Sequence, residues 1–380
     1  MRNDGKPAVV VGAGPAGLCA AIELKKAGAP VVLMDENAKP GGQLFKQIHK
    51  FFGSREHKAG IRGFDIGKEL LAESLRLGID VRLKTEVVGI ESGLKVWAVE
   101  DRSKSYTLDA GKLILATGAT ENALSFPGWT LPGVMTAGCA QTLINVHRVL
   151  PGKKVLMVGS GNVGVIVAYQ LMQAGARVAA VIEALPRLGG YGVHTAKVRR
   201  AGVAFHCSTT ILRAEGKEGV EKAVIAKIDE KFRPIPGTEQ ILDVDTICLA
   251  VGLTPSIELS CLAGCRQIYV PELGGNMPAH DDYMRSSNES VYVVGDIAGV
   301  EEASTAMEEG RLAGLHAAWA MGYMDDQTMK TRTNETRERL QALRQGVFGQ
   351  KRFAAKERIL AMRKDRSEER RVGKECRSRW

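Results

Sequence analysis

The chain has 380 residues, 44% of them hydrophobic and 25% charged, which is the length of two compact domains and the balance of an ordinary globular protein. No apolar run approaches the roughly 20 residues that cross a bilayer, and the start MRNDGKPAVVVGAG lacks the basic, apolar and small-residue order of an export signal, so no membrane span and a cytoplasmic location are expected. The formal charge of +9 gathers in residues 327–380, where 17 Lys and Arg face 7 Asp and Glu; subtracting that +10 leaves −1 for the rest, which offers no basic face to nucleic acid.

In chain order, Ala8 to Glu36 (AVVVGAGPAGLCAAIELKKAGAPVVLMDE) reads as a buried strand, a glycine turn, a helix ending near glycine, a second strand and an acid. A Gly-Gly turn follows at Gly41 and Gly42, then a helix around Ile66 to Leu77, strands near Val81 and Val87, and a strand in KLILATGAT, Lys112 to Thr120. Val155 to Glu183 (VLMVGSGNVGVIVAYQLMQAGARVAAVIE) repeats the first design, with strands to follow near Val203, Val224 and Thr246 to Val251. Ser290 to Val300 (SVYVVGDIAGV) is a strand and turn with no partner nearby, and a helix runs from Ser304 towards Trp319. Thr333 to Arg366 has apolar residues at helical spacing (Leu340, Leu343, Val347, Ile359, Met362) and predicts a helix docked on the body or on a partner; Ser367 to Trp380 lacks periodicity and reads as a disordered or appended end.

Each repeat is a βαβ unit, so the expected fold is α/β with two Rossmann-like dinucleotide-binding domains. The late unpaired strand implies that the second is inserted in the first: residues 1–122 and 255–325 against 123–254, with a basic helical tail at 326–380. The expected crossings are the Pro- and Gly-rich stretches Phe126 to Val134 and Gly252 to Ser256.

A G-x-G-x-x-G string alone is weak, since 43 glycines in 380 residues would yield about 0.5 by chance. The context carries the argument. Gly12, Gly14 and Gly17 follow a strand and open a helix, and Asp35 and Glu36 end the next strand. The first glycine permits the turn, the second lets a pyrophosphate reach the backbone, and the third lets helix pack on strand; the acid receives ribose hydroxyls. Gly159, Gly161 and Gly164 repeat this, with Glu183 24 residues beyond Gly159 where Asp35 lies 23 beyond Gly12. An acid there favours NAD, because it repels the 2′-phosphate of NADP, although Arg187 could pair with that phosphate and leaves NADP open.

The cysteines, Cys19, Cys139, Cys207, Cys248, Cys261, Cys265 and Cys376, form no C-x-x-C pair. No disulfide, zinc or iron–sulfur centre, and no metal of any kind, is expected. His49, His57 and His194 read as surface or packing residues, and no catalytic base is assigned.

Taken together, VVVGAGPAG, MDE, GGQL, ATG, GSGNVG, AVGLTPS and VVGDIAG resemble the pyridine-nucleotide-dependent FAD reductases with two Rossmann domains, over roughly residues 6–320. The resemblance makes the first domain the FAD domain and the second the NAD domain. It implies that Gly12, Gly14, Pro15, Ala16 and Gly17 cradle the FAD pyrophosphate and that Asp35 and Glu36 end at its ribose. Gly42, Gln43 and Leu44 would run beside the cofactor, Val87 would present its backbone to adenine, and Ala116, Thr117 and Gly118 would close over FAD. Gly295 and Asp296 would meet the ribityl chain or pyrophosphate, and Thr305 and Ala306 would face the flavin pyrimidine, where a helix start favours the anionic reduced flavin. In the NAD domain the implied set is Gly159, Gly161, Asn162, Val163, Gly164, Glu183 and Gly252.

The thioredoxin-reductase branch carries a redox C-x-x-C where this chain reads MTAGCAQT, so Cys139 stands alone, is expected to be a small packing residue, and cannot serve disulfide reduction by that route. GVMTAGCAQTLIN and GGYGVHTAKVRRAGV are similar to the FAD- and NAD-binding subunits of opine, hydroxyproline, sarcosine and cyanide-forming glycine dehydrogenases. Such subunits pass electrons between a partner's flavin and an acceptor; some carry a C-terminal cysteine-rich cluster, for which only Cys376 remains beyond residue 325 here. The resemblance implies an FAD-dependent oxidoreductase exchanging hydride with NAD(H) beside a partner flavoprotein subunit. The alternatives are a self-contained NAD(P)H reductase of a small acceptor and a scaffold subunit that merely holds FAD.

Overall fold

The computed structural model describes residues 5–51, 54–346 and 349–362. It divides into two compact units, residues 1–120 with 254–380, and residues 121–253.

The first unit opens with β1 (Ala8–Val11), α1 (Pro15–Lys26), β2 (Val31–Met34), α2 (Gly63–Arg76) and β3 (Asp80–Arg82). A three-stranded antiparallel sheet follows, β4 (Thr85–Glu91), β5 (Lys95–Glu100) and β6 (Lys104–Asp109), and then β7 (Lys112–Leu115). The chain leaves through β8 (Ala119–Glu121).

The second unit contains β9 (Val134–Thr136), α3 (Ala137–Thr142), β10 (Lys154–Val158), α4 (Asn162–Gln173), β11 (Arg177–Ile182), α5 (Gly192–Arg200) and β12 (Ala204–His206). Another antiparallel trio, β13 (Thr209–Glu215), β14 (Lys222–Lys227) and β15 (Gln240–Asp243), precedes β16 (Thr246–Leu249). The chain returns through β17 (Leu253–Pro255) to α6 (Glu258–Leu262), β18 (Gln267–Val270), β19 (Gly275–Pro278), β20 (Val291–Val293), α7 (Ala303–Ala320) and α8 (Asp326–Leu343).

Each unit holds a five-stranded parallel sheet, ordered β3-β2-β1-β7-β20 in the first and β12-β11-β10-β16-β9 in the second. The order is the same; only the source of the outer strand differs. The first sheet takes β20 from beyond the insertion, which gives the Ser290–Val300 strand its partner in β7, whereas the second takes β9 from before its glycine loop. Strands with both faces covered must be apolar throughout, as AVVV and VLMV are. In the second unit the residues of β10 alternate between two cores: Val155 and Met157 pack with α3, α4 and α5, while Leu156 and Val158 pack with the antiparallel trio. The 24-residue spacing from Gly159 to Glu183 has a local cause, because the register of β11 on β10 slips at Val155/Leu156 and a bulge absorbs the additional residue.

Two expectations change. Phe126 to Val134 is not a crossing: Phe126 is buried in the second unit's core, and the Pro127 carbonyl accepts the Ala214 N–H at 2.9 Å. Its prolines and glycines serve tight turns against β13. The tail is not one helix over 333–366 either. α8 starts earlier because Asp325 caps it, accepting from the Thr328 N–H at 2.9 Å and hydroxyl at 2.6 Å. It ends before Gly346, whose φ of 88° a side chain would resist, and a second helix covers 350–362. Met329, Thr333, Thr336 and Leu340 form the buried stripe of α8, against α7. Ser367 to Trp380 lies outside the described residues. Among those described, no helix is long and apolar enough to cross a membrane.

α7 lies directly on α1. A Cβ at Gly310 would run into the Ala16 carbonyl, and one at Gly314 into that of Ala20. Gly310→Ala is expected to lower folding stability by about 1–3 kcal/mol in urea denaturation, whereas Gly192→Ala, in open space at the start of α5, should change it by less than about 0.5 kcal/mol.

Candidate dinucleotide sites

The first glycine loop joins β1 to α1. Gly12 has φ 103°, and a Cβ on it would meet the Ala116 carbonyl at the end of β7; a Cβ on Gly17 would meet the Gly12 carbonyl. Gly14 differs, since its nearest neighbour would be the Gly42 Cα at 3.9 Å. The loop is therefore packed at its first and third glycines and open at the second. Gly14 is also the N-cap of α1 and makes no side-chain cap bond, so the first helical N–H groups remain available, with Pro15 and Ala16 in the first turn. Asp35 closes the loop from behind: one oxygen accepts the Ala13 N–H at 2.6 Å and the other the Asn37 N–H at 2.8 Å.

The second loop repeats this atom by atom. Gly159 has φ 104° and lies against the Ala250 carbonyl, Gly164 lies against that of Gly159, and a Cβ on Gly161 would meet nothing within 4 Å. Gly161 is the uncapped N-cap of α4. Glu183 accepts the Ser160 N–H at 3.0 Å and the Leu185 N–H at 3.0 Å, the counterparts of Ala13 and Asn37, and also the Ser160 hydroxyl at 2.6 Å. The backbone beyond each acid matches too: Thr85 N–H donates to the Asp35 carbonyl at 2.8 Å and Thr209 N–H to that of Glu183 at 2.9 Å. Val87 pairs with Ala98 and Ile211 with Ile225, each just before a slip in register.

The repeat extends further than the motifs alone reveal. Gly41 and Gly189 each stand six residues beyond their acid, and each begins a Gly-Gly pair. Gly41 N–H donates to the Ala13 carbonyl at 2.7 Å and Gly189 N–H to the Ser160 hydroxyl at 3.0 Å, so both pairs fold onto their loops. The motifs do not single out Ser160, Gly189, Gly190 or Asn37 as site residues; for the glycines, the equal spacing is the signal that could have found them. The Asn162 side chain accepts the Tyr191 N–H at 2.8 Å and so holds this second turn.

The other residues take distinct places. Leu44 is fully buried, Gln43 and Glu36 are exposed, and Val163 is exposed on the first turn of α4. The Thr117 hydroxyl donates to the Ser256 carbonyl at 2.7 Å, while Gly118 (φ 74°) borders open space. Gly252, with φ 110°, accepts the Asn122 N–H at 3.0 Å. Gly295 packs against Ala16 and Ala306, which brings the turn Gly295–Ala298 and the start of α7 to the first loop; the Thr305 hydroxyl is engaged with the Glu302 carbonyl at 2.6 Å. Asp296 is half-buried there, and desolvation pushes its carboxyl up to about 6.

Cys139 is exposed, contrary to its expected packing role. In α3 the buried places fall to Ala137, Gly138, Ala140 and Gln141, and helical geometry leaves Cys139 outside. The six described cysteines are all free. His57 is a packing residue, with Nδ1 at 2.8 Å from the Ser54 hydroxyl and Nε2 at 3.0 Å from Glu308; His194 is buried, and His49 is partly buried.

The sequence pattern of the pyridine nucleotide-disulphide oxidoreductases matches residues 6–310. The chain belongs to this family. It is an oxidoreductase, and the cofactors of its family are FAD and a pyridine nucleotide. It is 32% identical over 352 residues to an opine oxidase subunit of Agrobacterium tumefaciens (strain Ach5), covering 85% of this chain and 67% of that one. With hydrogen cyanide synthase subunit HcnB of Pseudomonas aeruginosa the identity is 31% over 333 residues, covering 81% and 69%. The chain thus spans about two thirds of these relatives. In fold it is similar to the thioredoxin reductase of T. acidophilum, with a TM-score of 0.67 at 20% identity over 82% of this chain and 97% of that one.

Both cradles fit a dinucleotide. Each has an uncapped helix start, no Cβ at the second glycine, and an acid that keeps acceptor capacity for a ribose hydroxyl, since a carboxylate offers about four lone-pair sites. Gly161→Ala is expected to leave the melting temperature nearly unchanged while raising the NADH Kd at least about tenfold, measured by calorimetric titration. Asp296→Asn tests the desolvated carboxyl. Because the folded group titrates near 6 and an unfolded one near 3.8, ionisation disfavours folding. The wild-type apo protein should match the variant below about pH 4 and lose up to about 3 kcal/mol against it as pH rises through 6, read from urea midpoints across pH.

Proposed function

We propose that this chain exchanges hydride between NAD(H) and FAD as one subunit of an amine or imino-acid dehydrogenase. The observation that carries the reading is the duplication of a whole cradle, acid included, in one chain. FAD belongs in the first cradle, because there the Gly295–Ala298 turn and the start of α7 join the glycine loop at Ala16. When bound, FAD supplies the two-electron chemistry.

The chain's own residues bind and orient. The N–H groups at the start of α1 receive the FAD pyrophosphate, Asp35 its ribose, and Asp296 its central portion. Gly159 to Gly164 receive the pyrophosphate of NAD, and Glu183, fixed by Ser160 and Leu185, receives the adenosine ribose. A carboxylate in that place repels a 2′-phosphate; Arg187 is exposed four residues on, so NADH is preferred without NADPH being barred. Dependence on a partner is supported by the relatives, which are named as subunits of opine oxidase and hydrogen cyanide synthase.

Anaerobic addition of NADH to the purified flavoprotein should bleach the flavin band, at least about tenfold faster than NADPH does at equal concentration, and Glu183→Ala should narrow that gap. Flavin that stays oxidised with both nucleotides would refute hydride exchange in the isolated chain. Co-purification with a second flavoprotein whose complex oxidises a secondary amino acid supports the subunit role. Turnover of a quinone or ferredoxin by the chain alone would replace that role with a self-contained reductase.

A further inference from the structure

The basic C-terminal segment finds its counter-charges inside the first unit. Arg344, in the turn after α8, binds Glu301 with two nitrogens, Nε to Oε2 at 3.0 Å and Nη2 to Oε1 at 2.7 Å, and Nη2 also reaches Glu309 Oε1 at 2.7 Å. Lys356, on helix 350–362, is 3% exposed; its Nζ donates to Glu309 Oε1 at 2.8 Å and to the Ala298 carbonyl at 2.9 Å. The other Glu309 oxygen accepts the Gly295 N–H at 3.0 Å. One buried ionic group thus grips the Gly295–Ala298 turn at its first N–H and its last carbonyl. Ala355 and Ile359, fully buried with Val270, Leu273 and Met277, seat the helix that delivers Lys356.

The turn so held is the one that packs on Ala16 of the first glycine loop and carries Asp296. A buried ion group adds little to stability over apolar packing, but removing one member leaves an uncompensated charge. Here that charge would be Glu309, which already acts against ionisation of the half-buried Asp296 carboxyl.

We propose that Arg344 and Lys356 are positioning residues for FAD: through Glu309 they set the backbone of Gly295 and Asp296 and the first turns of α7 in the arrangement that receives the cofactor. The proposal rests on the assignment of FAD to the first cradle. It makes the C-terminal segment part of the cofactor site although none of its residues belongs to a nucleotide motif.

The test uses the full chain. Lys356→Met should raise the Kd for FAD at least about tenfold, make the midpoint potential of the bound flavin more negative, and speed hydrogen exchange at the Gly295–Ala298 amides of the apo protein. The double variant Lys356→Met/Glu309→Gln, which removes the charge together with its partner, should recover an FAD Kd within about threefold of wild type. Arg358→Met, on the same helix as Lys356, breaks an exposed pair with Glu272 and should change none of these. If Lys356→Met keeps Kd and potential, the proposal fails. It also fails if the double variant does not recover and the loss of binding merely follows melting temperature, as in Ile359→Ala. A wild-type chain that binds no FAD overturns the cofactor assignment itself, and the positioning role with it.

Discussion

At the tip of each parallel sheet a backbone carbonyl, from Ala116 in one unit and Ala250 in the other, occupies the space that a Cβ of the first loop glycine would need. That close approach brings the outgoing end of the fourth strand beside the start of the helix, and most of the site follows from it. The loop turns with positive φ, the helix begins without a side-chain cap, and the third glycine lets the helix lie against the first. Only the second glycine is free of packing constraint, which is why a ligand is its best explanation.

The acid at the end of the second strand belongs to the same construction. In both units its carboxylate accepts the N–H that follows the first glycine and the N–H two residues beyond itself, so the group that would read a ribose also braces the loop. The two cradles remain equivalent although β11 carries an additional residue, because the bulge absorbs it before the acid is reached. Conserving the site's geometry required a local irregularity in the strand rather than a shift of the carboxylate.

Electrostatics ties the remaining elements to this frame. The chain's positive charge resembles a surface property when counted along the sequence, yet Arg339, Arg344 and Lys356 are engaged with buried glutamates of α7 and the segment before it. Burial alone would raise the Glu309 carboxyl, but Lys356 and Arg344 outweigh it and hold the group below the ordinary range. Glu308 is treated likewise: burial opposes its ionisation, and His57, Arg311 and Arg339 overcome it. Acids of this kind are stable only when their cations arrive, so α7 and the C-terminal helices are complementary halves of one structure.

By itself the sequence determined the βαβ repeats, the insertion of one parallel sheet within the segments of another, the packing of the first and third loop glycines and the place of the two acids at the strand ends. All of these rest on local periodicity or on steric needs that a residue type states directly. The full extent of the repeat was also written there, in the equal spacing from Asp35 to Gly41 and from Glu183 to Gly189, but only the hydrogen bonds to Ala13 and Ser160 give that spacing a meaning. The tertiary structure decided what depends on partners far along the chain. His57 meets Glu308 across 251 residues, Arg332 meets Glu23 across 309, and Lys356 finds Ala298 and Glu309. It also placed Cys139 outside and, among the described residues, broke the tail into two helices. A charge or a small residue carries no label for the face it will occupy, because burial and ion pairing are set by which surfaces meet, and that is known only once the chain has folded.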